Sequence, residues 1–136
     1  MKKFIFVILL SAFILTACAS NATSSSTNDN DTRPPVPAEY AGRKNPLGAD
    51  GATDGAKVFQ TNCQMCHGPQ GHGDGPAGES LDPKPKNLAD LQTKAGDDFL
   101  FWRVSEGVPG TAMVGWKQIL TEQQIWQVVS FIRTLK

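Results

Sequence analysis

Apolar and polar positions alternate differently in four parts of the chain. Phe4 to Leu15 is an apolar run broken only by Ser11 and led by Lys2-Lys3. Residues 19–37 hold almost nothing apolar, so they cannot build a core and read as a disordered tether. Asp97-Asp98 precede Phe99, Leu100, Trp102 and Val104, which predicts a short helix with acids in the first turn, where the dipole favours them. It ends near Gly107, with Pro109 just beyond. From Thr121 onward, Ile125, Val128, Val129, Ile132 and Leu135 recur at helical spacing around polar Gln127 and Arg133. Thr121-Glu-Gln-Gln124 in front of them has the form of a capping box. No convincing strand pattern lies in residues 51–136. The prediction is therefore all-α, with three main helices joined by Gly/Pro-rich loops.

Charge narrows the function classes. The chain of 136 residues carries 13 Lys+Arg and 13 Asp+Glu. Without residues 1–17, which include Lys2 and Lys3, 11 positive groups face 13 negative ones, a balance of −2. A nucleic-acid binder acting through bulk positive charge is excluded. The Phe4–Leu15 run is shorter than the roughly 20 residues of a membrane span and matches a signal-peptide apolar region. Leu15-Thr16-Ala17-Cys18 follows it and resembles the lipobox of bacterial lipoproteins, with small residues before a cysteine. That resemblance implies a signal peptide over residues 1–17 and a lipidated Cys18. Residues 18–50 would then form a tether and N-terminal arm, anchoring the domain of residues 51–136 to the cell membrane. The protein would be exported and would face the periplasm or extracytoplasmic space. Residues 38–50, with Tyr40, Pro46, Leu47 and Gly48, are expected to lie on the domain as an irregular arm.

Cys63-Gln64-Met65-Cys66-His67 carries the chemistry. CXXCH is the attachment signature of c-type haem, in which two thiols join the porphyrin vinyl groups and the adjacent imidazole ligates the iron. Residues three apart share one side of a helical turn, so both sulfurs reach one porphyrin edge. A thioredoxin-like pair would need a βαβ pattern that is lacking. A zinc site would need two further ligands, and the chain after residue 17 adds only Cys18 and His72. The expected cofactor is one covalent haem c. Elimination points to the second iron ligand: His72 follows His67 too closely, and Met65 lies between the anchoring cysteines. Met113 remains, in a segment punctuated by Pro109, Gly110 and Gly115.

With these residues in view, the chain resembles the class I, monohaem cytochrome c family over about residues 51–136. The resemblance rests on Gly55-Ala-Lys-Val-Phe59 leading into CXXCH, on Gly110-Thr-Ala-Met113 with Trp116 behind it, and on the helix after Thr121. It implies that the first and last helices cross, with Gly55 and Phe59 against Trp126, Val129 or Ile132. It also implies that the Pro76 carbonyl receives the His67 Nδ1–H, and that Trp116, Lys84 or Lys86 meets the haem propionates. Phe59, Leu88, Phe99 and Trp102 are expected to pack around the porphyrin.

Such a protein is a single-electron carrier rather than an enzyme, because His/Met ligation leaves no open iron position. Its partners would be redox proteins beside the membrane, such as an oxidase, a quinol-oxidising complex or a reaction centre. Two alternatives stand beside this reading: a haem enzyme or gas sensor with a labile methionine, and a cytochrome dedicated to one multi-subunit oxidoreductase. The Gly71–Gly75 segment lacks the Lys-Ser/Thr ending of a phosphate loop.

Overall fold

The computed structural model describes residues 32–136; the signal peptide expected at residues 1–17 and the lipidation expected at Cys18 lie outside them. Five α-helices and no strand occur among the described residues. They are α1 (Ala52–Asn62), α2 (Gln64–His67), α3 (Leu88–Leu91), α4 (Asp97–Glu106) and α5 (Glu122–Ile132), with a 3-10 turn at Gly78–Ser80. The three main helices expected are α1, implied by the family resemblance, and α4 and α5, expected from periodicity. α2 and α3 are single turns, too short to leave a periodic signature. No described helix is long and apolar enough to cross a membrane.

Local signals set the helix ends. Thr121 caps α5 with a complete capping box: its Oγ1 accepts the Gln124 N–H, and Gln124 Oε1 accepts the Thr121 N–H. A cap of this kind contributes about 1 kcal/mol. α4 stops at Gly107, whose φ of +76° favours glycine. Asn87 caps α3 by accepting the amides of Ala89 and Asp90.

The core is one apolar cluster running from Phe59 through Leu88, Phe99, Leu100, Phe101 and Val104 to Ile125, Val128, Val129 and Ile132. α1 crosses α5 at Gly55, where a Cβ would stand 1.9 Å from the Gln127 carbonyl oxygen and 3.0 Å from Phe131 Cβ. Phe59 meets Phe131 at 5.0 Å between ring centroids. At the crossing itself Gly55 thus meets Gln127 and Phe131, while Phe59 shares the buried cluster with Val129 and Ile132. Trp126 stacks on Phe101 of α4, with ring centroids 4.0 Å apart and 28° between the planes.

Residues 36–50 lie across α4 and α5 and are held largely by polar contacts. Tyr40 donates its hydroxyl to Glu106, and the Gly42 amide donates to Asp98 Oδ2 at 2.9 Å. Arg43 pairs with Glu122 and lies over Phe101, 4.4 Å from the ring centroid. Asn45 Nδ2 reaches both the Trp126 carbonyl and Ser130 Oγ, and its amide donates to Asp97. From the opposite side Arg133 grips Asp97 through Nε and Nη2, at 3.0 and 2.6 Å, and also takes up the Ala95 and Gln92 carbonyls. These partners hold the Asp97 carboxyl below its usual range, even though burial opposes them.

Candidate haem site

The CXXCH segment is a tight helical turn made rigid by backbone. The Cys66 and His67 amides both donate to the Cys63 carbonyl. The following loop then folds back onto this turn. The amide of Gly73 donates to the His67 carbonyl at 2.8 Å, that of Gly75 to Cys66 at 3.2 Å, and that of Ala77 to Met65 at 3.0 Å. Such an approach needs glycine. A Cβ on Gly75 would stand 2.4 Å from the Met65 carbonyl oxygen, and one on Gly78 only 2.1 Å from that of Cys66. The Gly-rich stretch is thus a cradle for the carbonyl end of the CXXCH turn.

Cys63 and Cys66 are both free and half-buried. Burial, and secondarily the neighbouring Cys66, pushes the Cys63 thiol up to about 12. Burial also lowers the pKa of His67, with the Lys86 main chain opposing it, so the imidazole is neutral at pH 7 and keeps a lone pair for a metal. Its Nδ1 is buried and has no hydrogen-bond partner. The expected bond from the Pro76 carbonyl is not formed. The 73–78 loop is taken up by the helix carbonyls, Pro76 is exposed, and the Lys86 main chain is the group that acts on the ring, without a well-formed bond to Nδ1. His72 turns to the C-terminus: its Nε2 lies 3.2 Å from the Lys136 carbonyl oxygen.

Met113 sits in a lasso that leaves α4 at Gly107 and returns onto the last turn of the same helix. The Val108 amide donates to the Met113 carbonyl, and the Met113 amide to Thr111 Oγ1. The loop is closed by Trp116 N–H donating to the Val104 carbonyl at 3.0 Å and Lys117 N–H to Ser105 at 3.2 Å. A Cβ at Gly107 would strike the Met113 carbonyl oxygen at 2.4 Å, so the neck of the lasso also needs glycine. Trp116 is half-buried at its base, and Lys117 Nζ pairs with Glu106 at 2.7 Å. Of the aromatics expected around the porphyrin, Phe59 and Phe99 are buried and Trp102 is half-buried. Phe99 meets Trp102 edge to face at 5.8 Å, and the Arg103 guanidinium covers the Trp102 ring at 3.8 Å.

The donor set suits a c-type haem: two free thiols and a neutral, half-buried imidazole on one rigid turn, and a thioether in a separate loop. Among the described residues no group of three or more His, Cys, Asp or Glu side chains offers a competing metal site. The family model for cytochrome c matches residues 52–136. The chain belongs to the cytochrome c family. Its cofactor is accordingly covalently bound haem c, and its chemistry is haem-based electron transfer. Solved structures resemble this cytochrome at the level of fold. A chain of the Kuenenia stuttgartiensis reducing HAO-like protein complex Kustc0457/Kustc0458 matches with a TM-score of 0.56 and 22% identity, over 64% of this chain and 44% of that one. The chain thus spans less than half the length of that neighbour. The c-type cytochrome KustC0563 matches with a TM-score of 0.50 and 26% identity, over 60% of this chain and 96% of that one. Cytochrome CL from the marine methylotroph Methylophaga aminisulfidivorans MPT is a weaker likeness, with a TM-score of 0.49 and 22% identity over 62% of this chain and 53% of that one. No curated protein matches the sequence significantly.

The arm contacts, the Arg133 hub and the approach of the Lys86 main chain to His67 leave little trace in composition or periodicity. The cis-acting signals that could have been read are few: only the glycine spacing at 73, 75 and 78 hinted at a backbone cradle.

Proposed function

We propose that this cytochrome is a single-electron carrier in which Cys63 and Cys66 hold the haem and His67 and Met113 are the axial ligands. The observation that carries the assignment is the half-buried His67 imidazole, its Nδ1 buried and without a hydrogen-bond partner, on the same rigid turn as two free thiols. When bound, haem c supplies one-electron ferric/ferrous chemistry. The chain's part is to fix the ligands and limit water. Neutral His67 is held by the glycine cradle, and Met113 is presented by a closed lasso, so neither needs to move as the charge on the site changes. A thioether ligand favours the reduced state relative to a second histidine. Met65 in the CXXCH turn and Val114 beside Met113 are both large and exposed, at 62% and 58%. They offer apolar contact for a partner near each ligand.

The carrier would work at the outer face of a membrane, tethered through a lipidated Cys18 by residues 19–37, and exchange electrons with respiratory or photosynthetic redox proteins. The apolar run before Cys18 and the polar stretch after it support this reading. Trp116, at the base of the lasso, is proposed to donate its indole N–H to a propionate; an unchanged reduction potential in Trp116→Phe would remove that role. The ligand assignment is tested by visible spectra of the reduced protein with and without carbon monoxide. A six-coordinate carrier gives a c-type spectrum that carbon monoxide leaves unchanged. Ready binding of carbon monoxide would instead indicate an open iron and a haem enzyme or sensor. Radiolabelled lipid incorporation, lost in Cys18→Ser, tests the anchor.

A further inference from the structure

The Met113 lasso is anchored at its neck to the last turn of α4, and the arm is anchored to that same turn. Glu106 is the shared point. Its carboxylate takes Lys117 Nζ from the returning strand of the lasso and the Tyr40 hydroxyl from the arm. Both partners favour the ionised form and hold the Glu106 carboxyl below its usual range, the Lys117 bond most strongly. The Tyr40 phenol is pushed up to about 12, first by burial and then by Glu106, so it stays a donor at any ordinary pH. Tyr40 also packs on Phe101 of α4, with ring centroids 6.1 Å apart. Two further arm residues fix its path: the Gly42 amide binds Asp98 at the start of α4, and Arg43 binds Glu122 at the start of α5. The arm is therefore a strap across both ends of α4, and its Tyr40 end meets the lasso through one carboxylate.

We infer that the Tyr40–Glu106–Lys117 chain is a latch through which the N-terminal arm holds the neck of the Met113 lasso shut. Tyr40, Glu106 and Lys117 are positioning residues: they set how often the loop opens and so how readily an outside ligand displaces Met113. This rests on the ligand assignment made above for Met113. The lasso tip is tied only to itself, by the Thr111 amide and hydroxyl donating to the Val108 carbonyl and the Met113 amide donating to Thr111 Oγ1, whereas the neck joins it to α4. Gly110 faces open space, and Pro109, Gly110 and Ala112 are exposed, so opening is governed at the neck. A pull or a partner on the residues before Tyr40 would act on the methionine ligand across the latch, without touching the CXXCH turn.

The test uses the full-length holoprotein and two mild variants. Tyr40→Phe keeps the ring on Phe101 and removes only the hydroxyl; Glu106→Gln keeps an acceptor for Tyr40 and loses the Lys117 pair. Amide hydrogen exchange at Trp116 and Lys117, and the rate of cyanide binding to the ferric protein, should each rise about three- to tenfold in both variants, the range set by loss of one partly exposed charged hydrogen bond. Exchange at Val128 and Val129, in the core of α5, should not change. Lys57→Ala, which breaks the exposed Lys57–Asp54 pair on α1, serves as the control and should leave all three readouts as in wild type. Unchanged exchange at Trp116 and Lys117, or a rise matched at Val128 and Val129, overturns the latch. Met113→Ala separates the two claims. Loss of the ferric charge-transfer band of sulfur ligation in that variant upholds the ligand assignment. Its persistence overturns that assignment, while the exchange data still decide whether the latch exists.

Discussion

In the CXXCH turn and its following loop, residues 63–78, backbone meets backbone: the amides of Gly73, Gly75 and Ala77 close on three consecutive carbonyls of the turn, and a Cβ at Gly75 or Gly78 would not fit between. In the lasso of residues 107–117 only the neck is close-packed, and the tip stands in open space at Gly110. The first region has a single solution because any displacement breaks several contacts at once. The second depends on a few hydrogen bonds and one partly exposed carboxylate, each of modest strength. If His67 and Met113 are the iron ligands, as proposed, the site should fail at the methionine first and keep its histidine and thioethers. Small energetic changes at the neck would then act on Met113, whereas changes in the cradle cost the fold.

The same substitution in each region should show the contrast most strongly. Gly78→Ala puts a Cβ 2.1 Å from the Cys66 carbonyl oxygen, so it should lower stability by about 3 kcal/mol or more, read as a fall in thermal midpoint and in haem-loaded yield. Met113→Ala should come next. It should keep the covalent haem and most of the helical circular dichroism, while converting the protein to one that binds carbon monoxide. A Met113→Ala protein that lost its helices as fully as Gly78→Ala would erase the distinction.

Asp97 tests the frame that both regions share. Its folded pKa is depressed by Arg133 and the Asn45 amide, so it stabilises the fold above its unfolded value of about 4, and this contribution is lost as pH falls through the lower folded value. Asp97→Asn should cost about 1–2 kcal/mol near pH 7, and the gap from wild type should close in acid below about pH 4. Denaturant titrations at both pH values would measure it; a gap that stayed constant would remove Asp97 from the acid response. Smallest of all, Gly110→Ala adds a Cβ to open space at a φ of +75° and should cost only about 1 kcal/mol of backbone strain, with the spectrum of the haem unchanged.

What could be read from sequence follows the range of the interactions. CXXCH, the Thr121–Gln124 capping box, the acids at the start of α4 and its stop at Gly107 are all written within a few residues, and all appear in the structure as expected. The contact of α1 with Gln127 and Phe131 is less legible, because an apolar stripe says which face is buried but not against what, and the close approach at Gly55 is to a backbone carbonyl that carries no sequence signal. The arm was harder still. Tyr40, Arg43 and Asn45 bind residues more than 50 positions away through polar groups, and neither composition nor periodicity registers such pairs. The role of Glu106 is hidden for the same reason, since at the end of a helix a carboxylate otherwise reads as solvated surface.

The contact of Gly55 with the Gln127 carbonyl also makes the domain a ring. The crossing closes a circuit of roughly 70 residues, which costs about 4 kcal/mol of chain entropy, and the CXXCH turn and the lasso both lie on that circuit. Closure entropy grows only with the logarithm of length, by about 0.6 kcal/mol per doubling. Extra residues are therefore cheap wherever the circuit runs over the surface. The stretch from Glu79 to Lys84 is mostly exposed and lies between the cradle and the Pro85–Lys86 segment that packs on Gly73 and His67. Residues inserted there should leave the crossing, the CXXCH turn and the lasso in place.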